Sequence, residues 1–247
     1  MKAFSVMVKS ELKLSLRSID MMLFGVLMPI VVVILLGVIY GSEPAFEGAP
    51  YTFFAQSFGA VASIGICATG AMGLPLEISD YRNKKILKRF KVTPISPALI
   101  LFVRVAINAI ISVISLILVY GAAAVFFGFR MGGPWIPFLG AYFLVVLSIY
   151  SIGMMVAGIA PNIKTANLLC CVLYFPMLIF SGATLPYEVM PGALQRAADV
   201  LPLTYGIKLL KATSLGLPAD SVLVPIVVMA ALAIVCIGVS IRFFRWE

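Results

Sequence analysis

Histidine is absent from all 247 residues, and charged residues make up only 11% of them. Without imidazole there is no His-ligated metal site, no imidazole general base and no Ser-His intramembrane hydrolase. Cys170 and Cys171 are adjacent, so no cysteine pair has zinc-ligand spacing. No Gly-Lys dipeptide occurs, which removes the GxxxxGK[ST] phosphate loop and leaves these residues without the means to hydrolyse nucleotide. Asp, Glu, Lys and Arg are missing from six long stretches: 21–42, 48–76, 105–129, 131–163, 165–187 and 221–241. An ion-coupled carrier keeps an ionisable partner for its ion near mid-membrane, and a voltage sensor or charged-ring channel needs charges there too. These stretches offer none.

What is present belongs in lipid. The chain is 62% hydrophobic with a mean hydropathy of +1.13. Each charge-free run exceeds the roughly 20 residues a helix needs to cross about 30 Å of hydrocarbon, and none shows the period-two alternation of barrel strands. Six transmembrane helices follow. The fold class expected is all-α and polytopic, a single transmembrane domain over 1–247. Cys67, Cys170, Cys171 and Cys236 fall inside the runs and read as packing residues. The first run is too long for a signal-peptide core and follows a charged segment, so it reads as a true span.

Lys and Arg divide unevenly between the two sides, fourteen on the side of the termini and four on the other. The positive-inside rule puts the fourteen, and both termini, in the cytoplasm, and the acidic loop with Glu43 and Glu47 outside. Residues 1–20 mix Phe4, Met7, Val8 and Leu12 with Lys2, Lys9, Lys13 and Arg17, which suits an interfacial helix in the headgroup layer. On span 2, Ala55, Gly59, Ser63, Cys67 and Ala71 recur every four residues and form a ridge for helix packing, against another span or a second copy.

The densest charge lies in 77–97, from Glu77 to Pro97. Ile86, Leu87 and Phe90 share one helical face, Arg82, Lys85 and Arg89 another, and Pro94 and Pro97 close the segment. An amphipathic cytoplasmic helix is expected, serving either a partner protein or, as a plain anchor, anionic lipid. Arg104, about one turn into span 3, is expected to snorkel to the surface. Short connections are expected at 128–134 and at Ala160–Lys164. The segment 182–219 is too apolar for water and is broken by Pro186, Pro191 and Pro202, so it is expected to form two short re-entrant helices in the outer leaflet.

Taken in order, three stretches resemble the membrane subunits of type-2 ATP-binding-cassette (ABC) exporters, the group of bacterial drug and antibiotic efflux permeases. Glu77 with Lys85-Ile-Leu-Lys-Arg-Phe-Lys-Val-Thr-Pro-Ile-Ser96 is similar to the family's coupling segment. Pro176 to Gly182, with Leu185-Pro186 and Met190-Pro191, is similar to its span-5 exit. Leu201-Pro-Leu-Thr-Tyr205 resembles the stretch before its last span, with Leu201 where the family often has Asn. The resemblance implies an inner-membrane permease that pairs with a second copy and a separate ABC ATPase and moves a hydrophobic or amphipathic substrate outward. ATP and Mg would sit on that partner, with no cofactor on this chain. It implies that Glu77, Arg82, Lys85, Leu87, Lys88, Arg89 and Phe90 carry the coupling. Phe54, Phe58, Tyr174, Phe175, Met177 and Phe180 would flank the substrate path, although aromatics in spans more often simply pack. A passive channel or a membrane scaffold recruiting cytoplasmic partners is the alternative reading.

A reporter active only outside the cytoplasm, fused after residue 45, is expected to be active, and one fused after residue 90 silent. The reverse pattern would overturn the orientation.

Overall fold

The computed structural model describes residues 11–15, 18–41, 43–45, 50–86, 97–184, 187, 190–218 and 220–243. Six of its helices are long and apolar enough to cross a membrane: α1 (Leu23–Tyr40), α2 (Phe53–Asn83), α3 (Leu99–Phe127), α4 (Trp135–Ile159), α5 (Ile163–Phe180) and α8 (Asp220–Phe243). Two shorter helices, α6 (Gly192–Ala198) and α7 (Pro202–Leu215), lie between α5 and α8. Among the described residues there is no strand, only an isolated bridge between Pro44 and Thr52. The protein is an all-α, six-span membrane protein. The helices alternate, so the start of α1, the α2–α3 and α4–α5 connections and the end of α8 share one face, called here the terminal face.

The helix boundaries follow from local chemistry. Thr52 caps α2 by accepting from Ala55 N at 3.1 Å, and Asn162 caps α5 by accepting from Thr165 N at 2.9 Å. Gly216, with φ of 70°, ends α7 in the left-handed conformation that costs glycine little. Two π-helical turns, Leu23–Leu27 in α1 and Ala68–Gly73 in α2, each sit just before a proline, Pro29 and Pro75. A proline ring collides with the carbonyl four residues back, at Gly25 and Ala71 here, and a widened turn relieves the collision.

Burial separates centre from periphery. The hydrophobic window of α2 is 83% buried and that of α4 67%, against 22% to 33% for the other four. α2 and α4 touch through Gly70 and Gly153, where a Cβ on Gly153 would run into the Gly70 carbonyl. Hydroxyls join the spans where lipid offers no partner: Thr69 Oγ1 meets Tyr150 Oη at 2.8 Å, Tyr142 Oη donates to Ser112 O at 2.7 Å, and Ser148 Oγ to Met229 O at 3.0 Å. α4 thus holds α2, α3 and α8.

The small-residue ridge on α2 turns inward, with Gly59, Ser63, Cys67 and Ala71 buried and Ala55 half-buried. Its neighbour at Gly59 is α7, since a Cβ there would lie 2.7 Å from Lys211 N and 2.8 Å from Leu210 C. The ridge therefore serves contacts within the chain. α7 packs among α2, α4 and α8, with Leu203, Leu209 and Leu210 fully buried.

Gly153→Val is expected to force α4 away from α2 and to destabilise the protein by about 1–3 kcal/mol, the usual cost of overpacking. Gly140→Ala, where no atom lies within 4 Å of an added Cβ, is the control. Thermal unfolding of the two purified variants checks this. Equal midpoints would count against the close contact.

Candidate functional site

At 31 residues α2 is about 46 Å long at 1.5 Å per residue, more than the ~30 Å hydrocarbon layer. Its last turns carry Glu77, Tyr81 and Arg82, and the first two meet the head of α3 and the N-terminal segment. Arg104 lies at the centre of that meeting. Its Nη2 is 2.6 Å from Glu11 Oε2 and its Nη1 3.5 Å from Glu77 Oε2. Tyr81 packs beneath it, with the guanidinium carbon 4.4 Å from the ring centroid, and donates its hydroxyl to Glu11 Oε1 at 3.0 Å. Asn108, one turn along α3, donates to Glu77 Oε2 at 3.1 Å.

The expectation that Arg104 snorkels to the surface is corrected: it is 7% exposed. A buried guanidinium needs anions and acceptors around it, and two carboxylates arrive from elements that the sequence gives no reason to bring together. The cluster ties the described helical residues 11–15 to α2 and α3. Arg104 Nε and Asn108 Oδ1 have no hydrogen-bond partner among the described residues.

A second anchor lies one turn further along α2. Arg82 Nη1 donates to Ala160 O at 2.7 Å and Nη2 to Ala157 O at 2.9 Å. These are carbonyls of the last turn of α4 and of the residue that caps it, at the negative end of the helix dipole, so a guanidinium is well placed there.

Arg82 was expected on the basic face of a helix running to about Val92, together with Lys85 and Arg89. It belongs instead to the end of α2 and is buried, while Lys85 adopts a left-handed φ of 55° that stops the helix. Lys85 is exposed. Leu87, Lys88, Arg89 and Phe90 lie outside the described residues.

The expected path residues divide. Phe54 and Phe58 stand in an aromatic cluster inside the chain, Phe54 5.3 Å from Phe127 and Phe58 4.8 Å from Phe129 between ring centroids, and Phe54 also lines a cavity with Phe127 and Phe129. Tyr174 and Met177 are also buried. Phe180 is half-buried, and Phe175 is exposed. Phe175 continues an apolar stripe with Leu168, Val172 and Ile179, all exposed on one side of α5. The sequence reading missed Glu11, Tyr81 and Asn108. The available signal was an Arg and an Asn one turn apart at the head of an otherwise apolar span.

Fold and site define a polytopic α-helical membrane protein whose buried charges gather under one connection at the terminal face. The family model for ABC-2 type transporters matches residues 2–215, and the chain belongs to that family as a membrane subunit. Among curated proteins it is similar to nodulation protein J of Rhizobium leguminosarum bv. viciae, 34% identical over 99 residues, or 40% of this chain and 38% of the relative. Nodulation protein J of Rhizobium meliloti (strain 1021) is 29% identical over 114 residues, 45% and 44% of the two chains. The matched stretches span about two fifths of these relatives.

Arg104→Gln leaves Glu11 and Glu77 facing each other without their cation and is expected to cost about 3–5 kcal/mol, as for a broken buried pair. Arg104→Lys should recover part of the loss. Thermal unfolding, with protease cleavage of the N-terminal segment as a second readout, checks this. Wild-type behaviour of Arg104→Gln in both would show that the cluster holds nothing.

Proposed function

We propose that the chain is the membrane-spanning permease of an ATP-driven exporter, moving a hydrophobic or amphipathic substrate out of the cytoplasm or the inner leaflet. It works as a homodimer in the bacterial inner membrane, with both termini cytoplasmic. A separate ABC ATPase supplies the energy and docks on the α2–α3 connection, the terminal-face segment that carries Lys85, Leu87, Lys88, Arg89 and Phe90.

The observation that carries this reading is the double anchoring of that connection. On one side Arg82 grips the end of α4, and on the other Arg104 joins α3 to Glu77 and to the N-terminal segment. A push on the connection is therefore delivered to the two most buried spans and to α3 together, where a loose loop would absorb it. Membership of the ABC-2 transporter family supports transport, and the lack of a phosphate loop in these residues supports a partner for hydrolysis. The uneven distribution of Lys and Arg supports a cytoplasmic terminal face. The exposed α5 stripe supports a surface completed by a second copy, with Phe175 and Phe180 beside the path. α6 and α7 then form the re-entrant pair of the outer leaflet.

Leu87→Asp or Phe90→Asp is expected to leave membrane insertion intact while abolishing the permease-dependent change in ATPase activity. Co-purification with a candidate ABC ATPase co-expressed with the chain, followed by hydrolysis assays in reconstituted vesicles, checks this. An ATPase that co-purifies and responds to both variants as to the wild type would remove the coupling role, and one that never associates would favour the scaffold reading.

A further inference from the structure

On the face away from the termini, a cavity of about 440 Å³ opens between the first turns of α2, the residues after α5, α7 and the first turns of α8. It sits at the level where the spans α2 and α8 begin. One wall is apolar, made by Ala60, Ile207, Val224 and Pro225. The polar side presents Lys208 and Lys211, a pair three residues apart and so on one face of α7, together with Gln56 and Ser181. Asp220 also lies at the cavity and Asp199 lies against Lys208, so the two ammonium groups stand among two carboxylates there.

The ammonium of Lys208 is held in place before any ligand arrives. Its Nζ is 2.7 Å from Asp199 Oδ1, lies 4.4 Å from the Tyr187 ring centroid and 5.6 Å from that of Tyr205. Asp199 takes one of three ammonium protons, and the others remain to donate. The hydrogen-bonded Lys208 holds the Asp199 carboxyl below its ordinary range. Partial burial pulls Lys208 down, but the hydrogen bond and charge of Asp199 outweigh it and the net shift is upward, so the amine stays protonated near neutrality. Ser181 supplies an independent sign of a ligand: it is 1% exposed, lines the cavity, and its Oγ has no hydrogen-bond partner among the described residues. A buried hydroxyl without a partner costs stability unless something accepts its proton. A fixed ammonium group with a second one a turn away, a buried hydroxyl and an apolar wall together match an anion carried on a greasy tail.

We propose that this cavity binds the phosphate group of an amphiphile, with Lys208, Lys211 and Ser181 on the phosphate and the Ala60–Val224 wall against the start of its tail. The idea rests on the proposed orientation only for calling that face the outer one.

Native mass spectrometry of the full chain in non-ionic detergent tests it, with phosphatidylglycerol, diacylglycerol and glycerol 3-phosphate as probes. One saturable phosphatidylglycerol per chain is expected, with diacylglycerol binding far more weakly. Lys211→Gln should weaken phosphatidylglycerol about fivefold, from roughly 1 kcal/mol per lysine at a charged headgroup layer. Ser181→Ala should weaken it too, and Lys164→Gln at the terminal face should not. Lys208→Gln also breaks the Asp199 pair, so Lys211→Gln, which keeps that pair, carries the test if the former fails to fold. Equal binding of diacylglycerol, or affinity unchanged by both Lys211→Gln and Ser181→Ala, would overturn the site. Displacement of the lipid by an equal concentration of glycerol 3-phosphate would overturn the amphiphile and assign the cavity to a soluble phosphate ester. The readout uses neither ATP nor transport, so it fails or succeeds separately from the exporter reading.

Discussion

A guanidinium withdrawn from water must find anions or carbonyl dipoles, and both buried arginines among the described residues do so at the terminal face. Arg104 binds Glu11 and Glu77, and Arg82 binds the last carbonyls of α4. They help fix how the terminal-face end of the long α2 is set against α3, α4 and the N-terminal segment. Van der Waals contact and a few hydroxyl bonds do the rest, since lipid provides little hydrophobic drive to bring helices together.

The same geometry explains why α2 runs through the middle of the chain. Its small residues admit α7 at Gly59 and α4 at Gly70, and its π turn before Pro75 lies against the π turn of α1, where Gly25 approaches Thr69. Two widened turns at one depth are places where a helix can change its winding at modest cost. They stand between the anchored terminal face and the aromatic cluster around Phe58 and Phe129 at the other end. The structure thus has a stiff base, a yielding middle and a packed top.

Much of the architecture was legible residue by residue. Charge-free runs longer than a bilayer gave six spans, and prolines at 186, 191 and 202 marked a stretch that could not cross, where α6 and α7 stand. Local rules reach that far because they concern neighbours a turn apart. The candidate site was less legible. Arg82 looked like one of a row of exposed cations because its acceptors, at Ala157 and Ala160, lie 75 and 78 residues away. Arg104 looked free to snorkel because Glu11 comes from another helix. For Phe54 and Phe58, periodicity does not say that their aromatic face meets the rings of Phe127 and Phe129.

The sequence alone determined that the chain lives in lipid, how often it crosses and where its charges cluster, because the cost of burying charge and of leaving backbone groups unpaired in hydrocarbon acts on each segment by itself. Only the tertiary structure decided which charges are buried and paired, which side of α2 meets α7, and where Lys208 and Ser181 share a cavity. Those outcomes depend on distances between segments far apart in the chain, and packing fixes such distances only when all the helices are in place.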